Sequence, residues 1–223
     1  MIYPVLTETF PAPPVCREEI LRYAGAKEVT PQLSALLENT LAEAMGHLTY
    51  KVCWQKLPVT KIPEGLDLTF AATRSEKLGR HLDGCGHIIL FGATVGIGLD
   101  RLIARYGKTA PTRALLLQAI GAERIEALCD AFFQKIKEDS AAEGLDTTSR
   151  FSPGYGDLPL ELQRDIFCTL NCSARIGLTL TDSLMMSPSK SVTAIIGIGR
   201  CCRHTATGCR SCTKTDCIHR RSL

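Results

Sequence analysis

The chain has 223 residues, 45% of them hydrophobic and 22% charged, with a formal net charge of +3. These are the proportions of a soluble globular protein with one sizeable core or two small ones. They exclude a broad nucleic-acid-binding surface. The longest uncharged run, Ile88 to Leu99, is too short and too glycine-rich to span a bilayer. The start, Met1-Ile2-Tyr3-Pro4, lacks the basic and apolar blocks of a secretory signal, so a cytoplasmic location is expected.

The opening through Pro14 is proline-rich and extended. A short helix fits Arg17 to Tyr23, stopped by Gly25. A longer one fits Pro31 to His47, with Thr30 as N-cap, Pro31 in the first turn and Leu33, Leu36, Leu37, Leu41 and Ala44 as its apolar stripe. Leu48 to Val59 and Leu66 to Ala72 read as strands. Ser75 caps a short helix that ends near Leu82. The apolar strand His87 to Phe91 runs into Gly92-Ala93-Thr94-Val95-Gly96-Ile97-Gly98, followed by helices from Leu99 to Tyr106 and from Pro111 to about Lys137. An irregular segment reaches Tyr155, and Pro159 to Leu170 reads as a helix. Leu184 to Met186 and Ser191 to Ile198 read as a hairpin around Ser187-Pro188-Ser189-Lys190. The class is α+β, with mixed helices around a mainly antiparallel sheet. Residues 1–199 form one domain and 200–223 a short cysteine-rich C-terminal tail.

The glycines from Gly92 to Gly98 sit between a strand and a helix, where phosphate-binding loops occur. They fit neither Gly-x-Gly-x-x-Gly nor a loop ending in Gly-Lys-Ser/Thr. Close backbone packing explains them better.

Advancing about 100° per residue along the helix from Pro111 puts Leu115, Ala119, Ala122, Cys129, Phe133 and Ile136 on one face. Glu126 falls within that face, while Glu123 and Asp130 lie towards the polar edge. A core-facing carboxylate needs a cation or donors opposite it. A structural arginine and a ligand cation both meet that need.

In Arg150-Phe151-Ser152-Pro153-Gly154-Tyr155, Pro153-Gly154 favours a type II turn, with glycine supplying the positive φ. An arginine beside such a turn can hold a carboxylate through two parallel hydrogen bonds, and Tyr155 offers a ring and a hydroxyl. An ordinary interhelical loop has the same spacing.

Arg150-x-x-Pro153-Gly154-Tyr155 resembles the S-adenosylmethionine motif of the activation domain of vitamin B12-dependent methionine synthase. Leu178-Thr179-Leu180-Thr181-Asp182-Ser183, Met186-x-Pro188 and Ser191-Val192 are similar to that family in the same order. The resemblance is best from about Ala119 to Ile198. It implies that Arg150 binds the ligand carboxylate, that Ser152, Pro153, Gly154 and Tyr155 border the same ligand, and that Glu126 stands near its positive end. It also implies a role as activation component of a methyltransferase: reductive methylation of cob(II)alamin on a B12-dependent methionine synthase, or on a different corrinoid methyltransferase. The chain has no Asp-x-His-x-x-Gly segment, so the cobalamin is expected on the partner. A flavodoxin-like electron donor completes the expected set of partners, with no nucleic acid and no membrane.

Eleven cysteines divide into two groups. Cys16, Cys53, Cys85, Cys129, Cys168 and Cys172 are scattered and read as reduced, mostly buried small hydrophobes. Cys201, Cys202, Cys209, Cys212 and Cys217 crowd a polar stretch that buries too little to fold unaided. Four thiolates, taken as Cys202, Cys209, Cys212 and Cys217, suit zinc or an iron–sulfur cluster. A metal-binding protein whose tail is the functional part is the competing reading.

Overall fold

Two strands without a Lys, Arg, Asp or Glu residue, β6 (His87–Thr94) and β10 (Ser191–Gly199), run antiparallel through the centre of the molecule. The computed structural model describes residues 3–200. In chain order the elements are β1 (Leu6–Thr9), α1 (Arg17–Tyr23), α2 (Pro31–Met45), β2 (Lys51–Pro58), β3 (Thr60–Ile62), β4 (Gly65–Asp67), β5 (Ala72–Thr73), α3 (Glu76–His81), β6, α4 (Gly98–Tyr106), α5 (Pro111–Ala142), β7 (Asp146–Thr147), α6 (Leu162–Leu170), α7 (Cys172–Ile176), β8 (Thr179–Leu180), β9 (Met186–Ser187) and β10.

The main sheet has the order β1-β2-β6-β10-β7, and every pair in it is antiparallel. Both of its faces are covered, so its central strands are buried almost throughout rather than alternating. Ile89, Phe91, Ala194 and Ile196 point to one core, shared with α1, α2, α4 and α5. Ile88, Leu90 and Ile195 point to the other, shared with α3, α6, α7 and the small sheet β3-β4-β5. The α+β class with a mainly antiparallel sheet is as the sequence implied.

Local signals are met where they were clearest. The Thr30 hydroxyl accepts from Leu33 N at 3.2 Å and Ser75 accepts from Leu78 N at 3.0 Å, capping α2 and α3. Gly98 packs so closely on His47 that any Cβ would collide with the His47 carbonyl oxygen, so this glycine serves backbone packing.

Three expectations change. The segment before β10 is not its hairpin partner: β9 pairs with β8, while β10 pairs with β6 and β7. The stretch Leu66–Ala72 contains a break, with β4 and β5 on either side of it. Of the six scattered cysteines, Cys16 and Cys168 are exposed and Cys85 is half-buried; Cys53, Cys129 and Cys172 are the buried ones.

The α5-side core is centred on Phe132, fully buried, whose ring lies 4.9 Å from Phe91, 6.1 Å from Trp54 and 6.2 Å from Phe10. Replacing it with alanine is expected to cost about 3–5 kcal/mol, from lost burial and the cavity left behind. The urea midpoint read by circular dichroism checks this; a loss below about 1 kcal/mol would contradict the packing described.

Candidate ligand site

α5 supplies the acidic side of the site, in a different phase from the one its sequence first presents. Leu117, Ile120, Leu128 and Phe132 face the core, and Leu115 is exposed. Glu126 is therefore not core-facing; its side chain is 32% exposed. The acid that is deeply buried is Glu123, expected at the polar edge. It pairs with the fully buried Arg124, Nε to Oε2 at 2.5 Å and Nη2 to Oε1 at 2.5 Å. Arg124 also donates to the Pro13 and Pro14 carbonyls at 2.6 Å each, and Glu123 accepts from Cys16 N at 3.0 Å. The proline-rich opening is thereby fixed across α5. The signal was in the sequence: the stripe through Leu117, Ile120, Leu128 and Phe132 carries more apolar volume than the one through Ala119 and Ala122, and Arg124 lies in its middle.

Glu123, Glu126 and Asp130 fall three and four residues apart, one stripe of α5. They line a cavity of about 650 Å³ closed on the other side by Pro14, Glu18 and Tyr23. Arg150 and the Ser152–Tyr155 turn do not line it. Glu126 and Asp130 border the cavity and also meet Arg150.

Arg150 reaches α5 through a fault in the sheet. Between Ile198 and Ile195 there are three steps along β10, but between their partners Thr147 and Phe151 there are four. The extra residue makes a β-bulge at Ser149-Arg150. Had the first register continued, Arg150 would stand opposite Ile195, in the core shared with α3 and α6. The bulge instead places Phe151 there and leaves Arg150 to α5. Its Nη2 donates to Glu126 Oε2 at 2.9 Å and Asp130 Oδ1 at 3.0 Å. Burial disfavours the guanidinium charge, but the Cys129 sulfur, Glu126 and Asp130 outweigh it and hold the Arg150 pKa above its ordinary value. Burial pushes the Cys129 thiol up to about 12, so it is protonated at neutral pH and the lasting support comes from the two carboxylates.

The turn follows directly. Tyr155 N donates to Ser152 O at 3.1 Å, Pro153 is buried, and Gly154 has φ 84°, a value that favours glycine. The Tyr155 side chain is 72% exposed. The structure thus brings Glu126 and Arg150 into contact, adds Asp130, and sets the 152–155 turn next in chain. Cys202, Cys209, Cys212 and Cys217 lie outside the described residues. Among the described residues no group of three or more His, Cys, Asp or Glu side chains could hold a metal, and no helix is long and apolar enough to cross a membrane.

The family profile described as vitamin B12-dependent methionine synthase, activation domain, matches residues 80–208, more than half of the chain. The chain belongs to that family. The activation-domain fold is also found among solved structures: a crystal structure of the MetH reactivation domain bound to AdoHcy superposes with a TM-score of 0.61 at 14% identity, covering 87% of this chain and 78% of that one. A comparison with curated protein sequences returns no match. In this activation domain α3 braces the arginine turn. His81 Nε2 lies 2.7 Å from the Ser149 carbonyl, and the Asp157 carboxylate accepts from Glu76 N at 2.9 Å and from the Ser75 hydroxyl.

Burial lowers the His81 pKa from its ordinary value of 6.5, with the Ser149 carbonyl pulling the other way. The unfolded chain takes up this proton near pH 6.5 and the folded chain only at lower pH. Between the two values the unfolded state binds more protons, so stability is lost on acidification through that window and levels off below it. Melting temperatures between pH 7.5 and 5 should therefore fall more for the wild type than for His81→Gln; equal slopes would refute this.

Proposed function

We propose that the chain binds S-adenosylmethionine at Arg150, Glu126 and Asp130 and holds its sulfonium methyl for transfer to a corrinoid carried by another protein, such as a B12-dependent methionine synthase. The observation that carries this is the charge set. One guanidinium and two carboxylates complement a ligand with one carboxylate, one ammonium and one sulfonium, and the opposite net charges of site and ligand cancel. Both hydrogen bonds from Arg150 to α5 leave from Nη2. Both two-point edges of a guanidinium include Nη2, as in the Nε/Nη2 forks of Arg17 and Arg124, so a ligand carboxylate held bidentately takes one acid's place and frees that acid for the ligand's cations. Glu126 and Asp130 then face the ammonium and the sulfonium, and the backbone of Ser152, Pro153 and Gly154, with the Tyr155 ring, borders the rest. Family membership and the AdoHcy-bound MetH reactivation domain support the same ligand class, since AdoHcy is S-adenosylmethionine without its methyl group.

The corrinoid supplies the methyl acceptor once it has gained one electron, from a flavodoxin-like donor on this reading. The chain's own contribution is position: it fixes the sulfonium carbon and leaves one side of it open to the partner. Arg150→Ala should weaken S-adenosylmethionine binding by at least tenfold in isothermal titration calorimetry, with the melting temperature little changed; unchanged affinity sinks the assignment. Adding cob(II)alamin-loaded methionine synthase and a reductant to the wild-type complex should then yield methylcobalamin, detected by its absorbance.

Residues 200–223 are proposed as a separate unit in which Cys202, Cys209, Cys212 and Cys217 hold zinc or an iron–sulfur cluster. The spacing of the thiols supports this, with four thiolates sufficient for either. Metal analysis of anaerobically purified protein should give about one zinc or one cluster per chain, lost on truncation after Gly199; a metal-free chain ends the proposal.

A further inference from the structure

The bulge that aims Arg150 leaves the Ser149 carbonyl turned towards α3. There it accepts from two donors. One is the Thr148 hydroxyl at 3.0 Å, which itself accepts from Gly197 N at 2.8 Å. The other is His81 Nε2, at 2.7 Å. A carbonyl can only accept, so Nε2 must carry the proton, and the neutral imidazole is fixed in one tautomer. The same ring lies 5.2 Å from the Phe151 ring, on the residue just past Arg150. His81 is 5% exposed, on the helix whose Leu78 is fully buried in the α3-side core. One side chain therefore touches the residues on both sides of Arg150 from the face of the sheet opposite to α5.

We infer that His81 is a positioning residue for Arg150: its Nε2–H···O=C bond to Ser149 and its ring contact with Phe151 hold the bulge in the register that delivers the guanidinium to Glu126 and Asp130. This rests on the reading of Arg150 as the ligand-binding arginine. The far end of the segment is held by the same helix. Asp157 accepts from the backbone N–H groups of Glu76 and Lys77, at 2.9 and 3.2 Å, and from the Ser75 hydroxyl. α3 thus acts as a splint for residues 149–157. A bulge is a local two-for-one arrangement that can slide along its strand. Sliding by one residue would return Arg150 towards the other core, so a bond to the carbonyl of the bulged pair specifically opposes that slip.

Three forms of the full chain test this by calorimetric titration with S-adenosylmethionine. His81→Leu puts an apolar side chain in its place with no donor, and leaves the half-buried Ser149 carbonyl short of one partner. Its affinity is expected to fall roughly tenfold. His81→Gln can donate from its amide to the same carbonyl and is expected to restore binding to within about twofold of wild type. Wild-type affinity in His81→Leu, or a folded His81→Gln as weak as His81→Leu, overturns the role. No binding by the wild type overturns the ligand reading and this role with it, whereas a binding wild type with an unaffected His81→Leu overturns His81 alone. Should His81→Leu fail to fold, long-range proton–nitrogen NMR of the wild type decides. A neutral ring protonated on Nε2 at pH 7.5 is expected; protonation on Nδ1 or an imidazolium would overturn the inference.

Discussion

The site depends on one guanidinium held between two carboxylates that belong to successive turns of a single helix. Arg150 is 22% exposed, Glu126 32% and Asp130 56%, so the cluster grades from half-buried to open within one turn of α5. At that exposure such pairs add little to stability. Their physical consequence is orientation. Two hydrogen bonds from one nitrogen fix the plane of the guanidinium, and a fixed plane sets the directions in which its other N–H groups point. The rest of the fold supports that geometry. The sheet places β7 and Phe151 beside β10, the bulge moves Arg150 to the helix side, and the largely buried β6 and β10 form the base beneath.

A second electrostatic feature lies one turn away and has a different character. Glu123 and Arg124 are adjacent in sequence, both essentially buried, and their remaining hydrogen-bonding capacity goes to Pro13, Pro14 and Cys16. Removing two charges from water is costly and is repaid only when geometry and hydrogen bonds are complete, as they are here. A buried pair of this kind specifies where a segment docks more than how strongly the fold holds. The docked segment is the one that carries α1 across α5 and closes the cavity bordered by Glu126 and Asp130. Family matching starts at residue 80, so this wall is a feature that only the three-dimensional arrangement reveals.

What the sequence disclosed followed the range of the interactions involved. Caps at Thr30 and Ser75, the turn at Pro153-Gly154 and the central strands without Lys, Arg, Asp or Glu are set by neighbours in the chain and were legible there. The phase of α5 was not. Its 32 residues carry apolar side chains on more than one face, because α1, α2, α4 and the sheet all pack on it, and a single-stripe reading chose a face about one residue out of phase. That error made Glu126 the buried acid and left Glu123 at the edge. Its contact with Arg150 survives because the bulge brings the arginine to the half-buried side of the helix. Neither the bulge nor the role of β7 has a local signature: Asp146-Thr147-Thr148-Ser149 is a polar run that pairs with β10 only because the sheet edge is there to receive it. The hairpin expected before β10 failed for the same reason, since β10 found a longer partner in β6.

The neighbourhood of Arg150 also bears on whether the proposed site would compete for a methyl group. A sulfonium methyl reacts with good nucleophiles, and Cys129 lies beside Arg150. That thiol is fully buried and its pKa is pushed up to about 12, so at neutral pH the thiolate is a very minor species and is shielded from solvent. The carboxylates that face the sulfonium on the proposed reading are weak nucleophiles whose negative charge is shared with the guanidinium. On the proposed reading, the protein presents the methyl group without competing for it. Such a site suits a component that positions a reagent for an acceptor on another protein: it supplies charge complementarity and orientation, and leaves the reactive electron pair to the partner.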